Sequence, residues 1–527
     1  MADQVEEEAT ILSSSAKRDA KDWHGAHVDW PLAAAEPLPP ATPGGGPGER
    51  RTAFAARADA AVAALGHWLK RHQPTLQRVQ WAVVGVYLLL VAVPAFLPLP
   101  GRAAHVWSNL TLLAQFCFWG LWWPLVLLSM VLVGRAWCGL MCPEGSLTEA
   151  VSRHGRGMAI PHWLKWKGWP FVAFSCTTIY GQMISVYQYP KPVLLILGGS
   201  TAGAMAIGYL YGRNKRVWCR YLCPVNGVFG LLAKLAPLHF NVDAEAWERA
   251  RVHAPAGMPH AAHQKLAPIN CAPLVAIRTM KGGSDCHMCG RCDGFRDAVT
   301  LQLRSPTREI VEVAGASPKP WETVLILFGL MGVAVGAFHW GASPWFIDVK
   351  QAAALWLIDH GLTWSLALQP PWWILTNYPD HSDMMTLLDG SVLIGYILAT
   401  AVVMGGLLCL SLAATVRCAV PWSSAKAFWA RFHHFAQALI PMAGCGVILG
   451  LSALTVTLLR NEGFALSFVP ALRLAFLGGA AAWSLYLAWK IAGFYGSSRF
   501  RQAAATALFG SAVALGVASW LLLFFVW

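Results

Sequence analysis

Nine apolar runs, each long enough to cross about 30 Å of hydrocarbon, limit what this 527-residue chain can fold into. They fall at roughly 80–98, 110–133, 169–188, 192–211, 322–341, 388–412, 435–459, 468–490 and 503–526. Lipid offers no hydrogen-bond partners to the backbone, so such runs must be helical. Charged residues make up 13% of the chain, against about a quarter in a soluble domain. The sequence therefore predicts an all-α polytopic membrane protein with about nine transmembrane helices. The net charge of +13 is explained by basic cytoplasmic loops, and no nucleic-acid motif accompanies it.

Lys and Arg alternate in density from loop to loop. Lys70, Arg71 and Arg78 precede the first run, and Arg135, Arg153, Arg156, Lys165 and Lys167 follow the second. Arg213, Lys215, Arg216 and Arg220 follow the fourth. Arg417, Lys426 and Arg431, then Lys490, Arg499 and Arg501, continue the pattern. The intervening loops hold only Arg102, Lys191, Lys350 and Arg460. This places the N-terminus in the cytoplasm and the C-terminus outside. The acidic start at Glu6-Glu7-Glu8, with no early apolar stretch, is not that of a signal peptide. Four regions follow: a disordered tail and lead-in helix (1–78), tandem transmembrane hairpins (79–212), a cytoplasmic cysteine-bearing region (213–320), and a C-terminal five-helix region (321–527) with an external loop at 342–387. The stretch 52–72 reads either as a surface-lying amphipathic helix or as a plain lead-in.

Two short boxes carry the chemistry. Arg135-Ala-Trp137-Cys138-Gly-Leu-Met-Cys142-Pro143 follows the second apolar run, and Arg216-Val-Trp218-Cys219-Arg-Tyr-Leu-Cys223-Pro224 follows the fourth. Each is C-x-x-x-C-P preceded by Arg-x-Trp, and the two are offset by 81 residues. The first four runs thus form a tandem repeat that should set the boxes side by side at the inner surface. A third group, Cys286-His-Met-Cys289-Gly-Arg-Cys292, has Cys271 upstream. C-x-x-C-x-x-C followed by C-x-x-x-C-P steps is iron–sulfur spacing, and eight thiols are what two 4Fe–4S clusters need. Zinc favours isolated pairs spaced C-x₂₋₄-C and fits less well. The other cysteines (Cys117, Cys176, Cys409, Cys418 and Cys445) lie singly in or beside apolar runs and read as small buried hydrophobes.

The ferredoxin-like loop is truncated, with Arg296 where a fourth Cys would stand. One pairing joins Cys138, Cys142, Cys219 and Cys223, leaving Cys271, Cys286, Cys289 and Cys292 as the second set. The other follows ferredoxin habit, in which the Cys before Pro serves the neighbouring cluster. Cys142 or Cys223 then completes the Cys286–Cys292 set, and Cys271 joins the first. Spacing leaves both open. Trp137 and Trp218, each next to a ligand cysteine, are candidates to shield a cluster from water.

With its boxes, flanking helices and ferredoxin-like loop, the stretch from about 80 to 340 resembles the membrane-bound polyferredoxin family. That family includes the H subunit of periplasmic nitrate reductase systems, a nitrous-oxide-reductase regulator and an assembly factor of copper-containing cytochrome oxidases. The resemblance implies two 4Fe–4S clusters on the eight cysteines, a small cytoplasmic ferredoxin-like insert and electron transfer at an inner membrane. Redox donor and acceptor proteins or quinol are the implied partners. Residues 342–527 lie outside the resemblance. There, His381, Met384 and Met385 offer the imidazole and thioether groups that suit copper, which keeps a copper-enzyme assembly role as the alternative. The plain reading is a polar loop with Asp380 or Ser382 capping the next helix. His residues are absent from the runs at 388–412, 468–490 and 503–526, so no bis-histidine haem is expected. Quinone has no reliable short signature and stays open. No acid–base pair or nucleophile stands out, so the chain reads as a redox carrier more than a stand-alone catalyst.

Overall fold

The computed structural model describes residues 53–101, 104–252 and 269–527. Most of the expected N-terminal tail, along with Arg102, lies outside the described residues. Among the described residues, eight helices are long and apolar enough to cross a membrane. They are Gln73–Phe96, Leu110–Val133, Pro190–Tyr211, Pro320–His339, Leu387–Ala419, Ile440–Asn461, Val469–Phe494 and Arg499–Val526.

The expected third crossing differs. Its helix, Trp169–Met183, has 15 residues, about 22 Å at 1.5 Å per residue, and stops where Ser185 takes a φ of 51°. It nevertheless runs the full depth of the neighbouring Pro320–His339 helix. At its start Trp166 meets Trp321 with ring centroids 5.0 Å apart. At its end Gln182 accepts from the Trp340 indole at 3.0 Å, and Met183 accepts from the Thr376 amide at 2.9 Å. The helix and its turn thus reach from one end of the neighbouring span to the other.

Local sequence accounts for the helix ends. Proline occupies the first turn of several helices, where its missing N–H costs nothing, as in Trp169–Met183, Pro190–Val193 and Ile440–Asn461. Asn109 caps the Leu110–Val133 span by accepting from the amides of Thr111 and Leu112. The Leu387–Ala419 helix is capped by Thr386 and Asp389 in a reciprocal capping box, not by Asp380 or Ser382. In the second half, Gly332 and Gly336 let the Pro320–His339 helix approach Leu387–Ala419 closely. A Cβ on either would lie 2.8 Å from the Ala401 Cα or 3.0 Å from the Ile397 Cα, the small-residue packing usual in membranes. The expected external loop 342–387 contains a further helix, Pro344–Asp359, fastened to the next span by a Lys350–Asp389 ion pair at 2.5 Å. Cys176 is exposed rather than buried.

At the box end, β1 (Leu238–Val242) pairs antiparallel with β2 (Val299–Leu303), Phe240 facing Leu301. Phe240, Met288, Phe295, Val299 and Leu301 form a small apolar core beneath this ribbon. The Ala53–Arg71 helix is neither free on a surface nor a plain lead-in. It clamps the cysteine loop, with His67 bonding the Asp293 carboxylate and Lys70 the Asp293 carbonyl.

The insert is anchored by Arg304, whose Nη1 lies 2.5 Å from Glu309, both side chains buried. Glu309 also accepts from the Gly283 amide at 2.7 Å, three residues before Cys286. Removing one partner of a buried pair costs about 3–5 kcal/mol. Arg304→Ala should therefore markedly lower the thermal midpoint of the detergent-solubilised protein. Arg308→Ala, which breaks only the exposed Arg308–Glu312 pair, should cost under about 1 kcal/mol.

Candidate cluster-binding site

Each box is a short helix, a tight turn and a second helix. Gly134, at φ 65°, ends the preceding span and turns the chain into Ala136–Leu140. The Trp137 carbonyl then accepts from the amides of both Met141 and Cys142 at 2.9 Å. The Trp218 carbonyl does the same for Leu222 and Cys223, at 2.9 and 3.0 Å. The C-x-x-x-C spacing therefore makes the same turn twice. After it, Pro143 opens the helix Pro143–Ser152, and the Cys142 sulfur accepts from the Gly145 amide at 3.4 Å.

The two Arg-x-Trp arginines strap the boxes to each other. Arg135 donates to the Asn226 side chain at 2.6 Å and to the Ser284 carbonyl at 3.0 Å. Arg216 donates to the Cys138 carbonyl at 2.6 Å and to Glu149 at 2.7 Å. Both are almost wholly buried, 3% and 2% exposed. The side-by-side placement expected of the repeat is seen.

The eight thiols gather as two sets of four. Cys138, Cys142, Cys219 and Cys223 line one cavity of about 520 Å³, together with Trp137 and Trp218. Burial raises the Cys142 and Cys223 thiols well above the ordinary range, and charge raises them further, from Cys219, Cys138 and Glu144 at Cys142 and from Glu144 first and then the other three thiols at Cys223. Burial pushes Cys219 up to about 12 against the pull of Arg216 and Arg135. In the second set, burial pushes Cys286 up to about 12, with Cys289 and Cys271 adding to it. Cys292 is raised by burial and then by Cys286, Cys289 and Cys271. Cys271 lies within electrostatic reach of Cys289 in the ferredoxin-like loop.

The residues fit the implied group. Buried thiols this reluctant to ionise need positive charge at their centre, and iron within a cluster supplies it together with one-electron exchange. Among the described residues, no group of three or more His, Cys, Asp or Glu side chains comes together closely enough to hold a single metal ion. Tetrahedral zinc, with bonds of about 2.3 Å to sulfur, would require thiolates within about 4 Å of one another.

The two sets are held together. Gly139, beside Cys138, lies so close to the loop that a Cβ there would stand 2.0 Å from the His287 carbonyl oxygen. From the first span, Gln73 donates to the Cys289 carbonyl at 2.8 Å and Gln80 to the Gly139 carbonyl at 2.9 Å. Glu149 joins Arg216 to Arg291, whose guanidinium lies 2.6 Å away. Burial would raise the Glu149 carboxyl, but Arg216 and Arg291 hold it below the usual range. Sequence reading missed Gln73, Gln80, Glu149 and Arg291; the one available signal was an arginine at the same place in both boxes. Arg296, in place of the fourth loop cysteine, lies over the Trp247 ring at 5.0 Å. Trp137 and Trp218 are half-buried, and Trp137 packs edge-on against Trp122.

His381 and Met384 are exposed on a hairpin, Asn377 pairing with Met384. Met385 is half-buried, its amide bonded to the Thr376 carbonyl. Through Thr376 this hairpin adjoins Met183, at the end of the bundle away from the boxes.

Residues 116–166 and 195–242 match the 4Fe-4S binding domain family. A curated relative, "Putative electron transport protein YccM" of Escherichia coli (strain K12), is 23% identical over 234 residues, covering 39% of this chain and 61% of the relative. The match thus spans less than two thirds of that relative's length. No solved structure matches. The two boxes and their flanking helices thus lie in the stretches similar to a 4Fe–4S binding domain, and the chain is similar to a relative described as an electron transport protein.

Proposed function

We propose that this protein is a bacterial inner-membrane electron carrier that holds two 4Fe–4S clusters at the cytoplasmic face. It passes single electrons to a membrane or periplasmic redox partner. The observation that carries this reading is the convergence of eight cysteines, from segments up to about 155 residues apart, into two adjacent sets of four. The basic residues that crowd the box end support its cytoplasmic placement.

Quinol is the reading of the donor that the cavity favours. Beyond the thiols it continues into the helical layer between Tyr87, Phe118, Trp122, Tyr187, Val447 and Leu451. Its volume lies in the ~300–1,000 Å³ range of ligand pockets, and its lining is mainly apolar and aromatic, as such pockets are. A quinol ring held in this part of the cavity would stand beside the first thiol set.

Anaerobic purification in detergent, with iron and acid-labile sulfide counts and EPR before and after dithionite, tests the reading. About eight iron and eight sulfide per chain, with reduced 4Fe–4S signals, are expected. Zinc without labile sulfide would overturn it. Short-chain quinol should then reduce the clusters; failure to do so, with dithionite still effective, would send the search to a soluble protein donor.

A further inference from the structure

The Arg216–Glu149–Arg291 chain lies where the two thiol sets meet and has no role in ligation. The Arg216 backbone amide is bonded to the Ala272 carbonyl at 2.7 Å, next to Cys271 of the second set. Its guanidinium reaches the Cys138 carbonyl of the first. Glu149 bridges from there to Arg291, which lies between Cys289 and Cys292 in the loop. Glu149 is 8% exposed and Arg216 2%, so their charges are poorly screened. One carboxylate thus sits between two guanidiniums, one against each set.

We propose that Glu149 is a positioning residue that sets the reduction potentials of both clusters and ties them to each other. The inference rests on the two-cluster reading. A fixed negative charge beside a cluster opposes the arrival of an electron, and a positive one favours it. Glu149 therefore holds both potentials down, while Arg216 raises both and Arg291 raises chiefly that of the loop cluster. Because Glu149 is shared, a change at either arginine is felt at both sites.

EPR-monitored redox titration of the detergent-solubilised holoprotein tests this. Glu149→Gln, nearly isosteric, should shift both midpoints upward. Arg216→Gln should shift both downward. Arg291→Gln should lower the loop-cluster midpoint more than the other. Glu245→Gln, an exposed carboxylate in the insert, should move neither. A purely structural role predicts altered cluster content with unmoved midpoints. Full iron and sulfide in Glu149→Gln with midpoints as in the unaltered protein would overturn the inference and leave the two-cluster reading standing. Should Glu149→Gln lose its clusters, Arg291→Gln decides: its side chain is 30% exposed, and an unmoved loop-cluster midpoint there sinks the idea. Absence of labile sulfide from the unaltered protein is the separate result that would sink the two-cluster reading itself.

Discussion

Cys223→Ser is expected to halve the iron and sulfide, to about four of each per chain, and to leave the EPR signal of the loop cluster. Cys271→Ser should do the reverse, sparing the cluster of the two boxes. The expectation follows from the grouping of the thiols. Cys223 shares its cavity with Cys219, Cys142, Cys138 and Glu144, whereas Cys271 feels Cys289 as its thiol neighbour. Serine removes the soft ligand and leaves a hydroxyl in a site that burial keeps nearly free of charge. If the proposed two clusters act in series, relay through the chain should then fail in both variants. The pair of variants also tests the ferredoxin-like alternative. Under that alternative, Cys271→Ser and Cys138→Ser would erase the same signal. Loss of one shared signal in those two proteins would overturn the grouping.

Gly139→Ala should be nearly as damaging without touching a ligand. The added Cβ would meet the His287 carbonyl oxygen at 2.0 Å and the Cys289 amide nitrogen at 2.9 Å. Both are backbone atoms, so no rotamer change relieves the clash, and the loop has to move away from the first box. The cost should reach or exceed the ~1–3 kcal/mol of ordinary overpacking. Displacement of Cys289 should take the loop cluster with it. Gly395→Ala is the matched control: it lies in the Leu387–Ala419 helix with nothing within 4 Å of the new carbon. There alanine should be neutral or stabilise the helix by up to about 1 kcal/mol. Thermal midpoints followed by size-exclusion chromatography, with iron counts, compare the two. Equal midpoints in both variants would contradict the close approach of box and loop.

The legible parts of this protein are those written in short-range pattern. Apolar runs marked the spans because lipid imposes one length and one secondary structure. The repeated Cys-x-x-x-Cys-Pro marked the boxes because the turn depends on neighbouring residues alone. Trp169–Met183 was overextended for the same reason: a run of apolar residues does not reveal that Ser185 will break it at positive φ. The helix Pro344–Asp359 was missed because its apolar stretch is interrupted by Asp348 and Lys350. Long-range choices were illegible. Nothing near Cys271 in sequence tells which box or loop it will join, and Glu149 looked like any carboxylate on a short helix. Those answers depend on where the helices bring the segments, a property of packing and not of spacing.

The grip of the first span on the cysteine sites has a consequence for biogenesis. Gln73 is synthesised 216 residues before the Cys289 carbonyl it holds. Gln80 precedes its own partner, Gly139, by 59. Gln73 thus meets its long-range partner only after the last cysteine loop has left the ribosome and folded back upon the first span. The loop cysteines are complete only after about 290 residues have been translated, whereas both boxes are complete by Cys223. A chain truncated before Cys289 should leave Gln73 without its loop partner, while Gln80 still finds Gly139.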